Sequence, residues 1–200
     1  ETSDTEQRNK LLNILSHDVQ RIERLITDYS QMLKDEASLS RSKMEKINLL
    51  QVVESVTEDF NINLSNSSKN IKIQIIKTGL NGKSPLVLGV ENRLEQILAN
   101  LLDNAVSFSP ENSLIKVICD IKKSFIQLAV EDEGPGFDEK NINQIFDRFY
   151  SNRPKNFGQH TGLGLNIVKN ITELHGGTIE AMNLASKGAR ININLPIYSN

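Results

Sequence analysis

Residues 130–138 read VEDEGPGFD, an acidic turn that directly follows a strand-like apolar run. Asp132 therefore lies at the end of a predicted strand. A carboxylate in that position can accept a hydrogen bond from an exocyclic amine. Gly134 and Gly136 lack the Cβ atoms that would keep a flat ring away from the backbone. The stretch thus predicts a site for a flat, amine-bearing ring, although an acidic turn around Pro135 with no binding role explains it equally well on its own.

Two further clusters flank this turn in the sequence. Asn100 and Asn104, in NLLDNAVSFSP, are four residues apart and share one face of a predicted helix. Their amide oxygens suit magnesium, which takes its other ligands from water and nucleotide phosphates. Gly162 and Gly164, in GLGLNIVKNITEL, open another helix, where free N–H groups and the helix dipole favour phosphate. Taken singly, solvated asparagines and a plain helix cap explain these clusters as well.

The three clusters in this order resemble the ATP-binding domain shared by sensor histidine kinases, gyrases, Hsp90 and MutL. The resemblance covers residues 48–197, and IFDRFYSNRP resembles the aromatic-rich box of histidine kinases. It implies an α+β fold of the Bergerat (GHKL) type, in which helices cover one face of a mixed sheet as a two-layer α/β sandwich. It also implies ATP and Mg2+ as cofactors and histidine protein kinase activity. Phe146 and Phe149 in this box are expected to pack in the core under either interpretation.

The same resemblance implies roles for individual residues. Asp132 would hold the adenine amine, Asn104 would coordinate magnesium, and Asn100 would support the metal or the triphosphate during catalysis. Residues 150–161 would form a mobile lid over the nucleotide, hinged at the two glycines that follow it. The other nucleotide contacts that it implies are Gly134, Gly136, Phe149, Arg153, Lys155, Thr161, Gly162, Leu163, Gly164 and Leu165.

One departure from the family pattern concerns the positive charge near the phosphates. Many relatives have Lys three residues after the second Asn, where this chain has Ser107. Phosphoryl transfer still needs cationic groups, because its catalysis is largely positioning and electrostatics. Arg148, Arg153 and Lys155 are the nearest candidates, and a purely solvated role for these side chains is an equal alternative.

The N-terminal part of the chain is predicted to form one long helix. Its apolar residues are spaced alternately three and four apart, which is a heptad seam. Such a narrow stripe needs partner helices in a bundle. The seam consists of Leu12, Leu15, Val19, Ile22, Ile26, Tyr29 and Leu33.

His17, followed by Asp18, is either a phosphate acceptor beside its base or one of two solvated polar residues. LSHDVQ resembles the family's phosphoacceptor box for four residues, but Arg21 and Ile22 replace its polar residue and its Pro. Residues 35–48 are too few and too polar to supply the second long helix of a hairpin. His17 is therefore predicted to be solvated, with the true acceptor upstream. A short kinase with His17 as acceptor is the alternative.

Two parts are accordingly predicted. Residues 1–46 would be the second helix of the dimerisation hairpin and a polar linker, and residues 47–200 the catalytic ATP-binding domain. This layout most resembles an alphaproteobacterial subgroup of sensor kinases. Because the first residue is Glu, we interpret the chain as part of a longer product. The implied partners are ATP, the receiver domain of a response regulator, and a second copy through the hairpin of the parent protein.

The composition of the chain limits its possible partners and its location. The chain has 200 residues, 38% of them apolar, and a net charge of -2, so neither nucleic acid nor an anionic membrane is a default partner. Its apolar runs are too short to span a bilayer. A single Cys119 fits a reducing compartment. These features predict a cytoplasmic fragment without membrane contact, in a parent that is an inner-membrane sensor. A non-catalytic nucleotide-binding regulatory module is the alternative from another class.

Hydrophobic periodicity predicts the remaining elements. Asn48 is a candidate N-cap for the first helix of the ATP-binding region. His175, in the last turn before Gly176, is expected to be structural, as an imidazolium at a helix C-terminus. His160 is expected to be solvated. The predicted helices are 49–60, 91–106, 141–149 and 165–174, and the predicted strands are 71–77, 114–121, 125–130, 178–182 and 189–195.

Overall fold

A computed structural model describes residues 43–65, 69–79, 84–150 and 162–198, together with isolated positions between residues 8 and 30. Those isolated positions are helical, as the heptad seam predicts. His17, Asp18, Tyr29, Leu33 and His160 lie outside the described residues. The described apolar side chains of the long helix are 52–61% exposed, and they are Leu11, Leu12, Leu15, Val19, Ile22 and Ile26.

Strands and helices are interspersed through the rest of the described chain. The helices are α1 (Leu49–Ser65), α2 (Glu91–Phe108) and α3 (Gly164–Leu174), with a 3-10 segment at Glu139–Phe146. The strands are β1 (Glu45–Asn48), β2 (Lys72–Thr78), β3 (Leu86–Gly89), β4 (Leu114–Ile121), β5 (Phe125–Glu131), β6 (Thr178–Asn183) and β7 (Ala189–Pro196). None of the helices among the described residues has the length and apolar character needed to cross a membrane.

Five of the strands form one mixed sheet in the order β2-β4-β5-β7-β6. Strands β2 and β4 are parallel, and every other neighbouring pair is antiparallel. A parallel pair needs a crossover connection, and α2 lies within the segment that joins β2 to β4. The predicted mixed sheet is therefore confirmed.

The helices and the sheet share one hydrophobic core. Alternate residues of β4, Ile115, Val117 and Cys119, are at most 1% exposed, as expected for a strand with one covered face. They belong to the same buried cluster as Leu98 and Leu101 of α2. The two-layer α/β sandwich that the resemblance implies is confirmed.

The other face of the sheet carries charged residues on three neighbouring strands. Lys116, Glu131 and Arg190 are register partners on β4, β5 and β7. Arg190 Nη1 lies 2.8 Å from Glu131 Oε1, and Arg190 Nε donates to Asn192 Oδ1 at 2.6 Å. Cross-strand pairs of opposite charge stabilise a sheet on its solvent side.

A second, two-stranded sheet was not predicted. Strands β1 and β3 pair antiparallel, so the single sheet inferred from the sequence was incomplete. Glu45 and Lys46, which the sequence places in the polar linker, begin β1. Tyr198 extends this unit, because its N–H donates to Leu86 O at 2.7 Å and Lys46 Nζ lies 4.6 Å from its ring centroid. The C-terminal residues thus contact the small sheet.

Two local predictions can be compared directly with the helices. The N-cap is confirmed, because Asn48 Oδ1 accepts a hydrogen bond from Leu50 N at 3.1 Å. The predicted helix 141–149 was wrong, since the structure has a 3-10 segment at Glu139–Phe146. Its N-cap Asp138 accepts a hydrogen bond from Lys140 N at 3.1 Å. A short 3-10 segment of this kind serves as a connector, and the apolar spacing that suggested an α-helix does not distinguish the two.

Candidate active site

Asp132 follows β5 and is held by the backbone on both sides. Its N–H donates to Ala189 O at 3.0 Å, and its Oδ1 accepts from Gly134 N at 2.8 Å and Ala189 N at 3.2 Å. Within the described part of the chain, no group donates to Oδ2. Burial raises the pKa of the Asp132 carboxyl, and the two backbone N–H groups partly oppose that rise. The side chain therefore presents one fixed and one available oxygen.

The glycines of the acidic turn allow a close approach to this carboxylate. A Cβ at Gly134 would lie 2.8 Å from Asp132 Oδ1 and 3.0 Å from Phe108 O. Gly136 has φ +81°, and a Cβ there would lie 2.7 Å from Asn183 Oδ1. Any larger residue would displace the Asp132 carboxylate or the Phe108 backbone at Gly134, and the Asn183 carboxamide at Gly136. The glycines thus keep the turn folded tightly against the end of the strand.

The two asparagines of α2 lie against the start of α3. Asn100 Nδ2 donates to Gln96 O at 3.0 Å within its own helix. A Cβ added at Gly164 would lie 3.3 Å from Asn100 Oδ1 and 3.7 Å from Asn104 Nδ2. The absence of a side chain at Gly164 therefore brings the N-terminal end of α3 close to both carboxamides. A helix N-terminus beside amide oxygens can bind phosphate and a hard cation together.

These elements enclose one cavity. Asn104, Asp132, Gly136 and Leu165, all expected from the sequence, contribute to its wall. An apolar wall with a few convergent polar groups is typical of small-molecule sites. Phe108 follows Asn104 by four residues on α2, so helical spacing could have placed it on the same face. The lining residues that the sequence analysis missed are Leu101, Ala105, Phe108, Val130, Pro135, Phe137, Ala189 and Ile191.

The remaining predicted residues either do not line this cavity or lie outside the described residues. Phe146 is buried as expected, whereas the prediction that Phe149 packs was wrong, because Phe149 is 52% exposed with φ +61°. Gly162 has φ +72°, and Leu163 is buried before α3. Arg153, Lys155 and Thr161 lie outside the described residues, so their roles stay predictions.

The donor atoms of the site fit magnesium only in combination with a nucleotide. Within residues 43–65, 69–79, 84–150 and 162–198, no group of three or more His, Cys, Asp or Glu side chains could hold a metal ion. The amide oxygens of Asn100 and Asn104 are neutral ligands, which suit a magnesium ion that keeps waters and binds phosphates. The site thus fits a metal that arrives with its nucleotide.

His175 connects the ends of two helices that carry the site. Its Nε2 accepts from Val90 N at 3.1 Å, directly before α2, and its Nδ1 lies 2.7 Å from Ile171 O in α3. Since an N–H can only donate and a carbonyl can only accept, the proton must be on Nδ1. Burial lowers the pKa of His175, although the Ile171 carbonyl opposes this. The structural role is as expected, but the predicted imidazolium was wrong, since the ring is neutral.

Comparison with known proteins gives a consistent set of similarities. Residues 89–199 match the family described as Histidine kinase-, DNA gyrase B-, and HSP90-like ATPase. Sensor protein ChvG of Rhizobium meliloti is 36% identical, over 96% of this chain and 35% of ChvG. Sensor histidine kinase WalK of Bacillus subtilis is 28% identical, over 94% of this chain and 30% of WalK. The chain thus spans about a third of the length of these relatives.

The fold of this chain is also similar to that of solved histidine kinase structures. The mycobacterial sensor histidine kinase MprB has a TM-score of 0.66 and 26% identity, covering 78% of this chain and 99% of the solved chain. The catalytic domain of the histidine kinase ThkA has a TM-score of 0.67 and 25% identity, covering 78% of this chain and 97% of the solved chain. These similarities agree with the two-layer sandwich described above.

Proposed function

Because this chain belongs to the family of histidine kinase-, DNA gyrase B- and HSP90-like ATPases, we propose that it is the ATP-binding catalytic part of a sensor histidine kinase. The relatives named sensor proteins and sensor histidine kinases favour this branch of the family. The reaction of the parent protein would transfer the γ-phosphoryl group of ATP to a histidine. That group would then pass to an aspartate of a response regulator.

The single observation that supports this proposal best is the cavity that Asn104, Asp132 and the first turn of α3 line together. In it, Asp132 Oδ2 would accept a hydrogen bond from the adenine amine while Oδ1 stays bound to the backbone. The N–H groups at the start of α3 would face the phosphates. The site thus matches both ends of a nucleotide: the Asp132 carboxylate matches the base, and the start of α3 matches the triphosphate.

Charge neutralisation is the part of the chemistry that the metal would supply. Asn100 and Asn104 would hold magnesium with the nucleotide phosphates and so keep the triphosphate in one orientation. Arg148 is the described candidate for an additional cation, and Arg153 and Lys155 are predicted to assist. Positioning of this kind accounts for most of the catalysis in phosphoryl transfer.

The rest of the parent protein is also part of the proposal. Residues 1–46 would be the second helix of a dimerisation hairpin and its linker, and residues 47–200 the catalytic domain. The acceptor histidine would lie upstream, with His17 solvated. We propose a cytoplasmic position for this part, in a parent anchored in the inner membrane. Its partners would be a receiver domain and a second copy of the parent.

Nucleotide titration of wild type and Asp132→Asn tests the site. The variant keeps the side-chain shape but turns the acceptor for the adenine amine into a donor. We expect Mg-ATP affinity to fall about tenfold or more, since a hydrogen bond to a charged group contributes about 1.5–3 kcal/mol. Asp59→Asn, on the exposed side of α1, is the control and should bind as wild type does. Equal affinity of wild type and Asp132→Asn would refute the assignment.

A non-catalytic, nucleotide-binding regulatory module is the second candidate, favoured by Ser107 where many relatives have Lys. Incubating the chain with γ-labelled ATP and a separate acceptor hairpin separates the two. A kinase domain labels the hairpin with acid-labile phosphate, whereas a regulatory module binds ATP without labelling it. Label on the chain itself that disappears in His17→Gln would instead identify His17 as the acceptor.

A further inference from the structure

Asn183, the last residue of β6, pairs with the backbone of the acidic turn. Its Oδ1 accepts from Phe137 N at 2.6 Å, and its Nδ2 donates to Phe137 O at 2.9 Å. One carboxamide thus satisfies both main-chain groups of one residue, as a neighbouring strand would. The two bonds are on the protein surface but span 46 residues of sequence. They tie the turn to a strand that is remote in the chain.

The residue held in this way belongs to the wall of the cavity. Phe137 lines it together with Pro135 and Gly136, and Asp132 and Asn104 line the same cavity. The absence of a Cβ at Gly136 is what allows Asn183 Oδ1 to approach, because that Cβ would lie only 2.7 Å away. The glycine and the carboxamide therefore form one contact. The Gly134 N–H bond to Asp132 Oδ1 holds the start of the turn, and the Asn183 contact holds its end.

The same strand pair also holds Asp132 itself. Asn183 is the register partner of Ala189, whose N–H and C=O both bond to Asp132. A Cβ at Gly188 would lie 1.8 Å from Asp132 O, so the loop between β6 and β7 contacts this backbone directly. One hairpin thus contacts two parts of the cavity wall: Asp132 through Ala189, and the acidic turn through Asn183.

We propose that Asn183 is a positioning residue that sets the width of the slot for the nucleotide base. It touches neither base nor phosphate in this scheme and acts through Phe137 and the glycine turn. The inference rests on the proposed function, because it assumes that the cavity receives adenine. Without the carboxamide, the turn loses both bonds to β6, and the base meets a wall that is no longer fixed at one distance from Asp132. Recognition of the amine should suffer more than nucleotide binding in general.

Asn183→Ala in the full chain tests this proposal. We expect Mg-ATP affinity to fall about five- to tenfold, the change that corresponds to about 1 kcal/mol of lost hydrogen bonding. Mg-GTP, which carries a carbonyl oxygen where adenine has its amine, should lose less affinity, so the preference for ATP over GTP should narrow. Both affinities can be measured by competition with a fluorescent adenine nucleotide.

Asn194→Ala is the matched control. Asn194 is on the other strand of the same hairpin, and its Nδ2 donates to Thr178 Oγ1 at 3.2 Å, at the end remote from the turn. It should leave both affinities unchanged. If Asn183→Ala kept the affinity for ATP, or weakened ATP and GTP by the same factor, the positioning role would be wrong. If wild type bound no ATP, the proposed function would fail, and this inference with it.

Discussion

At the scale of single residues, the Asp132 carboxylate favours ligand binding but lowers the stability of the ligand-free protein. Burial raises the pKa of its carboxyl above the ordinary 3.8, so the folded chain holds the proton more tightly than the unfolded chain does. Stability from this group is therefore present at low pH and is lost as pH rises through the raised pKa. At neutral pH the buried carboxylate destabilises the ligand-free protein. A hydrogen bond from the amine of a ligand would offset this cost.

Asp132→Asn should accordingly stabilise the protein without ligand. Asn Oδ1 can accept the same two backbone hydrogen bonds and carries no charge. We expect the free energy of unfolding at neutral pH to rise by about 0.5–2 kcal/mol, the range common for stabilising substitutions. Urea denaturation of both proteins measures it, and the difference should shrink as pH falls toward 3.8. A variant less stable than wild type at neutral pH would contradict this.

His175 gives a pH dependence of the opposite sign. Its pKa is below the ordinary 6.5, so its contribution to stability is complete above pH 6.5 and is lost as pH falls through the lowered pKa. His175→Gln keeps an oxygen that can accept from Val90 N–H but cannot be protonated. We expect its unfolding midpoint in urea to vary less than that of wild type on the two sides of pH 6.5. If the urea midpoints of wild type and His175→Gln changed equally with pH, His175 would not titrate in this way.

His175→Ala complements this experiment. Without an acceptor, the Val90 N–H loses its partner in a partly buried position, which costs about 1–3 kcal/mol. The loss should be present above pH 6.5, where His175→Gln is close to wild type. The two variants together separate the missing hydrogen bond from the missing charge change.

At the scale of elements, the open edge of β2 is held by a side chain of α1. Asn61 Nδ2 donates to Ile73 O at 3.2 Å, and Asn61 Oδ1 accepts from Ile73 N at 3.1 Å. Because β2 is the outermost strand of its sheet, these backbone groups would otherwise be open to pairing with another chain. Asn61 therefore both attaches the helix and protects the edge.

Asn61→Ala should weaken the fold and expose that edge. We expect a loss of about 1–2 kcal/mol in the free energy of unfolding, from two partly buried hydrogen bonds. Light scattering at rising protein concentration should also show more association. Asn63→Ala, exposed two residues later on the same helix, is the control and should change stability little. Equal stability of the two variants would contradict a role for the carboxamide of Asn61.

Elements with clear periodicity were predictable, and short ones were not. The bounds of β4 were predicted to the residue, because its eight positions are rich in β-branched and other apolar residues interrupted only by Lys116 and Asp120. Strands β1 and β3 have only four residues each and pair with each other across a helix and another strand. That pairing is set by long-range packing, which no local pattern reveals. Periodicity also failed to distinguish the 3-10 segment from an α-helix.

Some residues of the candidate site were likewise predictable from the sequence, and others were not. Asp132 and Asn104 were predicted because the order of their motifs resembles an ATP-binding family, although each motif alone also fits a site with no binding role. Phe108 and Ile191 of the cavity wall were missed, since an apolar residue facing a ligand and one facing the core look alike in sequence. Asn183 was missed because its partner Phe137 is 46 residues away.

At the scale of the whole molecule, the described apolar residues between positions 8 and 30 are exposed. Their side chains, among them those of Leu15 and Ile22, are 52–61% exposed. Exposed apolar surface of this extent promotes association. We expect the full chain to form oligomers, and a chain starting at residue 43 to stay monomeric with unchanged affinity for Mg-ATP.

Light scattering coupled to size-exclusion chromatography measures the first expectation, and nucleotide titration the second. Leu15→Glu with Ile22→Glu in the full chain is the matched variant, since it removes apolar surface without removing residues. It should be less associated than wild type. Persistent oligomers in both altered proteins would place the contact in the folded domain instead.

The contact of Tyr198 with Lys46 and Leu86 places the two ends of the folded domain next to each other. A short glycine-rich connection could therefore join residue 198 to residue 43 without crossing the domain. New termini could then open at the exposed turn between β4 and β5. Circular permutants of this kind are tolerated when chain ends are close together. The order in which these elements occur along the gene is thus less important for folding than their arrangement in space.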